Sequence, residues 1–283
     1  MSDQLTLLMV HAHPDDEATG TGGSLAKYAE EGVRTVIVTC TGGEVGEISD
    51  SALATPENLA MVRAEELRAA LQILGVTDHH SLGYRDSGMA GTADNEHPES
   101  FHQANVDDAT RRLVRLLREH RPQALVTYDE NGFYGHPDHI MAHRITVAAF
   151  DASGDASYYP ELELAPWAPA KLYATAVGRS KLRDFGRLMR AAGVETPFDP
   201  DSETDLTIGV ADELVTTVID VARYVERKRR ALLAHRTQIG TDSFFAKLTL
   251  ELFQNLFGFE GYTLLRSRID APMPETDLFA GIR

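Results

Sequence analysis

The sequence predicts an α/β protein: a mainly parallel, Rossmann-like sheet flanked by helices, with an elaborated C-terminal region. Three observations predict it. Apolar runs of strand length alternate with longer segments of helical periodicity through the first half of the chain. Two of those runs, Leu5–Val10 and Gln123–Thr127, lead directly into loops crowded with histidine and carboxylate side chains. Open α/β sheets place their ligands beyond the carboxyl ends of their strands. Hydrophobic residues make up 43% of the 283-residue chain, enough for a sizeable core and too many for a disordered one.

Leu5–Val10 is the first buried strand. A helix over Glu17–Glu31 closes at Gly32, a residue suited to the left-handed position past a helix end. Thr35–Thr39 is the second strand, and an irregular stretch runs from Thr41 to Pro56. A helix over Glu57–Leu74 stops at Gly75, His79–Leu82 is a short strand, and Ser87–Pro98 is a loop. A helix over Val106–His120 ends before Pro122, strand Gln123–Thr127 follows, and a helix starts at about Asp138. In the second half, Ala170–Val177 reads as a strand, and Lys181–Ala192, Asp212–His235 and Ser243–Phe257 read as helices. Pro160–Pro169 and Pro197–Asp205 are linkers or surface loops. The expected division is a core over 1–165 carrying the chemistry, and a region over 166–283 that completes the sheet and the pocket, the two forming one unit.

Formal net charge is −16, which argues against nucleic acid and anionic membranes as partners. A small polar substrate and homo-oligomerisation both remain compatible with it. The single cysteine, Cys40, excludes an internal disulfide, and its place at a strand end suits a buried hydrophobe better than a nucleophile. No run reaches membrane-span length, and the N-terminus lacks a signal-peptide pattern, so the expected location is the cytoplasm. Gly20, Gly22 and Gly23 suggest a dinucleotide fingerprint, but Leu25 stands where its last glycine belongs. Carboxylates also occupy the place of the pyrophosphate.

The first loop reads His11-Ala12-His13-Pro14-Asp15-Asp16-Glu17. Helix-dipole preference explains acids in a first helical turn, but not the histidines and proline before them. His13 and Asp16 offer a nitrogen and an oxygen ligand three residues apart. Asp15 and Glu17 are then left over, and one carboxylate on a metal with its neighbour on the water is the economical assignment. The second loop ends in His136-Pro137-Asp138-His139. His139, in the first turn of its helix, completes a His₂Asp set that leaves a position open for water. His143, one turn further on, is the rival ligand and suits an ordinary helix histidine better. Asp138 is placed to orient a ligand histidine, as carboxylates commonly do.

Together these blocks resemble the PIG-L/LmbE-like zinc N-deacetylases. Thr39–Glu44, Arg85–Gly88 and Thr127–Asn131 are similar to the actinobacterial mycothiol branch. The tail, Arg266–Ile269 with Pro274–Ile282, is more similar to mycothiol S-conjugate amidase than to the biosynthetic deacetylase. The resemblance spans nearly the whole chain. It implies an LmbE-like fold and one zinc ion per chain, with iron(II) as the rival metal. It also implies that Glu47, Arg63 and Asp86 hold the sugar or inositol, and that Tyr134 and His136 stabilise the transition state; Glu44 is a further candidate for lining the pocket. One departure is the missing lysine near Gly20, where the amidase carries one.

The expected chemistry is metal-assisted amide hydrolysis. The ion lowers the pKa of water toward ~7, Asp15 takes the proton, and Tyr134 or His136 meets the oxyanion. Protonation of the leaving amine falls to Asp15 or His136. The expected substrate is an N-acyl glucosamine, first of the thiol-conjugate amidase kind. The alternatives are an N-acetylglucosaminyl-inositol deacetylase, a natural-product tailoring deacetylase, and a metal-containing binder of conjugates that hydrolyses nothing. A zinc phosphoesterase ranks last, because such sites favour two metals and more basic residues. Phe244, Phe245, Phe253 and Phe257 are candidates to line an acyl pocket, with membership of the core an equal alternative.

Overall fold

A computed structural model describes residues 4–191, 193, 198–202 and 208–283. Its seven-stranded sheet has the order β3-β2-β1-β4-β5-β7-β6. The strands are β1 (Thr6–His11), β2 (Arg34–Thr41), β3 (Asp78–Tyr84), β4 (Ala124–Thr127), β5 (Lys171–Thr175), β6 (Thr217–Asp220) and β7 (Phe259–Ser267). Strands β1 to β5 pair in parallel, and β7 runs antiparallel to both β5 and β6. The helices among the described residues are α1 (Asp16–Glu30), α2 (Leu59–Leu74), α3 (Val106–His120), α4 (Gly132–Gly135), α5 (Pro137–Ala152), α6 (Arg179–Ala191), α7 (Val225–Leu232), α8 (Phe244–Lys247) and α9 (Leu250–Phe257). None is long and apolar enough to cross a membrane.

The sheet separates two apolar cores. On one face Leu7, Met9 and Ile37 pack with α1, α2, α7 and α9; on the other Leu8, Val10, Val36 and Val38 pack with α3 and α5. Every residue of β1 is buried, as a central parallel strand covered on both faces requires. The chain runs outward from β1 to β3, then crosses back to β4 on the other side of β1. The carboxyl ends of β1 and β4 therefore flank a topological switch point, where the crevice of such a sheet lies. Both histidine loops leave the sheet there.

Two expected helices take other forms. Asp212–His235 is not one helix: β6 and two 3₁₀ turns precede the short α7. The β-branched run Val215-Thr216-Thr217-Val218-Ile219 leads into β6, which pairs with β7 over Thr217–Asp220 and alternates buried and exposed. That period of two outweighs the helical pattern on either side. Ser243–Phe257 splits into α8 and α9, because Thr249 caps a new helix by accepting from Leu252 N–H. Of the expected linker Pro197–Asp205, only 198–202 lie among the described residues, and Ala192 also lies outside them.

The tail returns under the opposite edge of the sheet. Buried Glu275 pairs with buried Lys171 at the start of β5 and accepts from Tyr173 Oη (2.7 Å) and Thr217 Oγ1 (3.0 Å). The start of a parallel strand is the far end from the crevice. Glu275, in the second part of the amidase-like tail, thus buttresses the sheet, whereas Arg266 in its first part lines a cavity with Asp129, Asn131 and Phe133 of the second histidine loop.

Candidate metal centre

β1 delivers the first loop. Pro14 and the tight turn place Asp15 at φ 120°, ψ −27° as the residue before α1, a conformation rare for a non-glycine residue. Asp16 starts α1 and accepts from His13 N–H at 2.8 Å. β4 delivers the second loop. Gly132 and Gly135 take positive φ around Phe133, and His136 caps α5 by accepting from Asp138 N–H through Nδ1 at 3.2 Å. Pro137 fits the first helical position, and His139 follows within the first turn.

His13, Asp16 and His139 converge. His13 Nδ1 is 3.3 Å from His139 Nε2 and 3.4 Å from Asp16 Oδ2, and His139 Nε2 is 3.6 Å from Asp16 Oδ1. Ligand atoms set tetrahedrally at about 2.0–2.1 Å from an ion stand roughly 3.3–3.4 Å apart, so this triangle fits a zinc-like ion. Its chemistry fits as well, since two imidazole lone pairs and a carboxylate oxygen turned to one point need a cation. His136 also comes close enough to join His13 and His139 as a donor; its Nδ1 is committed to the α5 cap and its Nε2 is not. His143 sits apart, bonded through Nδ1 to Tyr128 carbonyl at 2.8 Å.

Electrostatics follow the geometry. Burial works against charge on His13, yet hydrogen bonds to Asp138, Asp16 and Asp86 outweigh it and hold the imidazolium well above the usual histidine range. Burial, Asp16 notwithstanding, pushes His139 down to about 3. Burial also opposes charge on Asp16, but His139 and His13 keep its carboxyl well below the ordinary value. Asp15 goes the other way: burial lifts it to about 6, although Arg63 opposes the shift.

His13 Nε2 meets Asp138 Oδ2 at 3.2 Å and faces Asp86 Oδ1 at 3.6 Å. Asp138 is fully buried and accepts from both Ser87 N–H (2.9 Å) and the Ser87 hydroxyl. Arg63, only 3% exposed, donates to Pro14 carbonyl (2.6 Å), Gly43 carbonyl (2.9 Å) and Asp15 Oδ2 (3.1 Å). Its charge therefore grips the Asp15 turn rather than lying free at the surface. Asp86 also holds the Gly88 N–H (2.8 Å), and its own N–H donates to Glu44 (2.9 Å). Glu47 is exposed, and among the described residues its side chain makes no hydrogen bond or ion pair with this cluster; its carbonyl accepts from Gln238.

The half-exposed Tyr134 ring stands 5.0 Å from the His139 ring and 6.1 Å from that of His136. Burial pushes its hydroxyl above the usual tyrosine range, so it stays a proton donor. Phe244, Phe245, Phe253 and Phe257 contact one another, with Phe185 against Phe244 and Phe257. They join the core beside α7, as the structural alternative expected.

Three residues escaped the sequence reading. Tyr128 stacks on His139 at 4.1 Å and 22°, fixing a ring whose Nδ1 has no hydrogen-bond partner. Ser87 anchors Asp138. His235, far along the chain, bonds Glu17 at 2.7 Å. Tyr128 stands directly at the end of β4, and Ser87 lies in the Arg85–Gly88 segment, both readable signals; His235 gave none.

The family model described as PIG-L: GlcNAc-PI de-N-acetylase matches residues 8–150. Two relatives are named 1D-myo-inositol 2-acetamido-2-deoxy-alpha-D-glucopyranoside deacetylase. That of Geodermatophilus obscurus is 45% identical, over 100% of this chain and 99% of its own. That of Acidothermus cellulolyticus is 46% identical, over 98% and 95%. Among solved structures, N,N'-diacetylchitobiose deacetylase from Pyrococcus horikoshii matches with a TM-score of 0.64 at 18% identity, over 93% of this chain and 84% of its own.

Proposed function

The chain belongs to the PIG-L family of GlcNAc-PI de-N-acetylases, and we propose that it is a zinc-dependent deacetylase of an N-acetylglucosamine joined to inositol. De-N-acetylation, for which the family model and the relatives are named, is hydrolysis of an amide bond. The finer substrate rests on whole-length identity of 45% to a relative named for that reaction. The amidase reading leaned on the tail, whose Glu275 is packed against the start of β5. The deacetylase reading therefore has the stronger support.

The observation that carries the reading is the triangle of His13, Asp16 and His139, with ionisable Asp15 beside it. These three residues would hold the ion. When bound, a divalent ion supplies Lewis acidity that lowers the pKa of water and polarises the amide carbonyl. Asp15 is the general base, and burial tunes its carboxyl toward working pH. Asp138 and Asp86 steady His13 from behind. Tyr134 Oη and His136 Nε2, the nitrogen not spent on the helix cap, are the donors for the developing oxyanion. Asp15 or His136 returns the proton to the leaving amine. Asp86 and Arg63 border the space for the sugar hydroxyls, with Arg63 acting chiefly by holding Asp15.

A panel of N-acetylglucosaminyl-inositol, mycothiol and a bimane conjugate of mycothiol, assayed for new primary amine, tests the reading. The acetylated sugar should be preferred. Preference for the conjugate would restore the amidase, and silence on all three with metal bound would favour a binding protein.

A further inference from the structure

The loop after α7 carries His235, whose side chain is fully buried against the first histidine loop from outside the sheet core. Its Nε2 lies 2.7 Å from Glu17 Oε1, and the other Glu17 oxygen accepts from the backbone N–H of Asp15 at 2.9 Å. His235 Nδ1 has no hydrogen-bond partner, so the proton belongs on Nε2, pointing at Glu17. Glu17 is itself 1% exposed and does not belong to the converging triangle. A buried carboxylate needs donors on both oxygens, and these two donors make it a strut from His235 to Asp15.

The strut ends where the backbone is strained. Asp15 stands at φ 120°, and such conformations persist only where the surroundings over-determine them. Arg63 restrains its side chain and Glu17 its N–H. The far end of the strut is rigid as well. Gln238 N–H and Ile239 N–H donate to His235 carbonyl (3.0 and 2.7 Å), and Thr237 donates to Glu66 of α2 through N–H (2.8 Å) and hydroxyl (2.6 Å). Ser49 N–H closes the bracket on Thr237 carbonyl at 2.9 Å.

We propose that His235 is a positioning residue for Asp15, acting through the Glu17 carboxylate. The proposal rests on the reading of Asp15 as general base. Without His235, Glu17 loses a donor and turns toward another, the Asp15 N–H loses its fixed acceptor, and the strained turn relaxes. The Asp15 carboxylate then leaves its working position, while His13, Asp16 and His139 keep theirs.

The test uses the metal-loaded full chain with N-acetylglucosaminyl-inositol, comparing wild type, His235→Ala, His235→Gln, Asp15→Ala and the Asp15→Ala/His235→Ala double variant. His235→Ala should lower kcat by roughly 10- to 100-fold, the scale of a misplaced catalytic group. KM and bound metal should stay within about twofold of wild type. His235→Gln, whose amide can still donate to Glu17, should recover most of the rate. The double variant should be no slower than Asp15→Ala. A loss expressed in KM or metal content, or the same factor lost again in the Asp15→Ala background, overturns the proposal. Should His235→Ala not fold, Glu17→Gln with and without Asp15→Ala serves as the cycle with the same two outcomes. Amide hydrogen exchange at Asp15 separates this proposal from the function reading. If wild type does not turn over this substrate, the substrate reading fails, and faster exchange at Asp15 in His235→Ala still supports the strut, whereas unchanged exchange rejects it.

Discussion

Asp15 and Asp16 are neighbours in the chain and opposites in chemistry. Burial lifts the Asp15 carboxyl to about 6, whereas the two histidines facing Asp16 hold it ionised in spite of burial. One side chain is built to exchange a proton and the other to remain an anion. The buried His235–Glu17 pair has its own pH signature. Burial disfavours the charge on each, but His235 is raised above 6.5 by Glu17, and Glu17 is lowered below 4.5 by His235. The histidine's contribution to stability is complete below 6.5 and fades as pH rises through its raised folded value. The glutamate's is complete above 4.5 and fades as pH falls through its lowered one. In metal-stripped protein, the Tm difference between wild type and His235→Gln should therefore be largest between pH 4.5 and 6.5. A difference that grows toward pH 9 would contradict the pairing.

At the scale of elements, the two loops are aimed by backbone geometry. Gly132 stands at φ +62°, and a Cβ there would lie 2.7 Å from His139 Cβ and 2.9 Å from Ile140 N. Gly132→Ala should push the first turn of α5 away from β1 and spread the ligand triangle. The expected result is metal affinity reduced by about 10- to 100-fold, the scale of disturbed ligand support. Titration with a competing chelator measures it, and unchanged affinity would show that α5 is placed by its core contacts alone. This geometry also explains what could be read in advance. β1, α1, α2, α3 and β4 were legible because each keeps one period from end to end. The triangle was legible because its members are close in sequence to strand ends. β6 was missed because a β-branched run of strand length lies inside a longer polar stretch. The roles of Ser87, although it lies in the singled-out segment Arg85–Gly88, and of His235 were missed because they rest on tertiary contacts, which no local pattern encodes.

At the scale of the molecule, two buried ion pairs brace the C-terminal region, and Glu260 of one of them fastens it to α1. Lys228 of α7 reaches Glu260 of β7 at 2.6 Å, while Glu260 also accepts from Gly23 N–H and Ser24 N–H of α1, each at 2.8 Å. Lys171 and Glu275 tie the tail under β5. Removing one partner leaves the other charge buried, so Glu275→Ala should cost about 3–5 kcal/mol, measured by denaturant unfolding. Because Glu275 sits at the far end of the sheet, the folded variant should keep its kcat and its substrate preference. A changed preference between acetyl sugar and thiol conjugate would return the tail to the substrate question.

The central claim is that the two adjacent carboxylates of the first loop hold different posts, one on the metal and one on the proton. Bound metal and kcat, measured together on Asp15→Ala and Asp16→Ala, test it most directly. Asp15→Ala should retain one metal ion per chain and lose ~10²–10⁴ in kcat, the range for a missing general base. Asp16→Ala should lose the metal with the activity. An Asp15→Ala protein that emerges without metal, beside an Asp16→Ala protein that keeps it, would contradict the account.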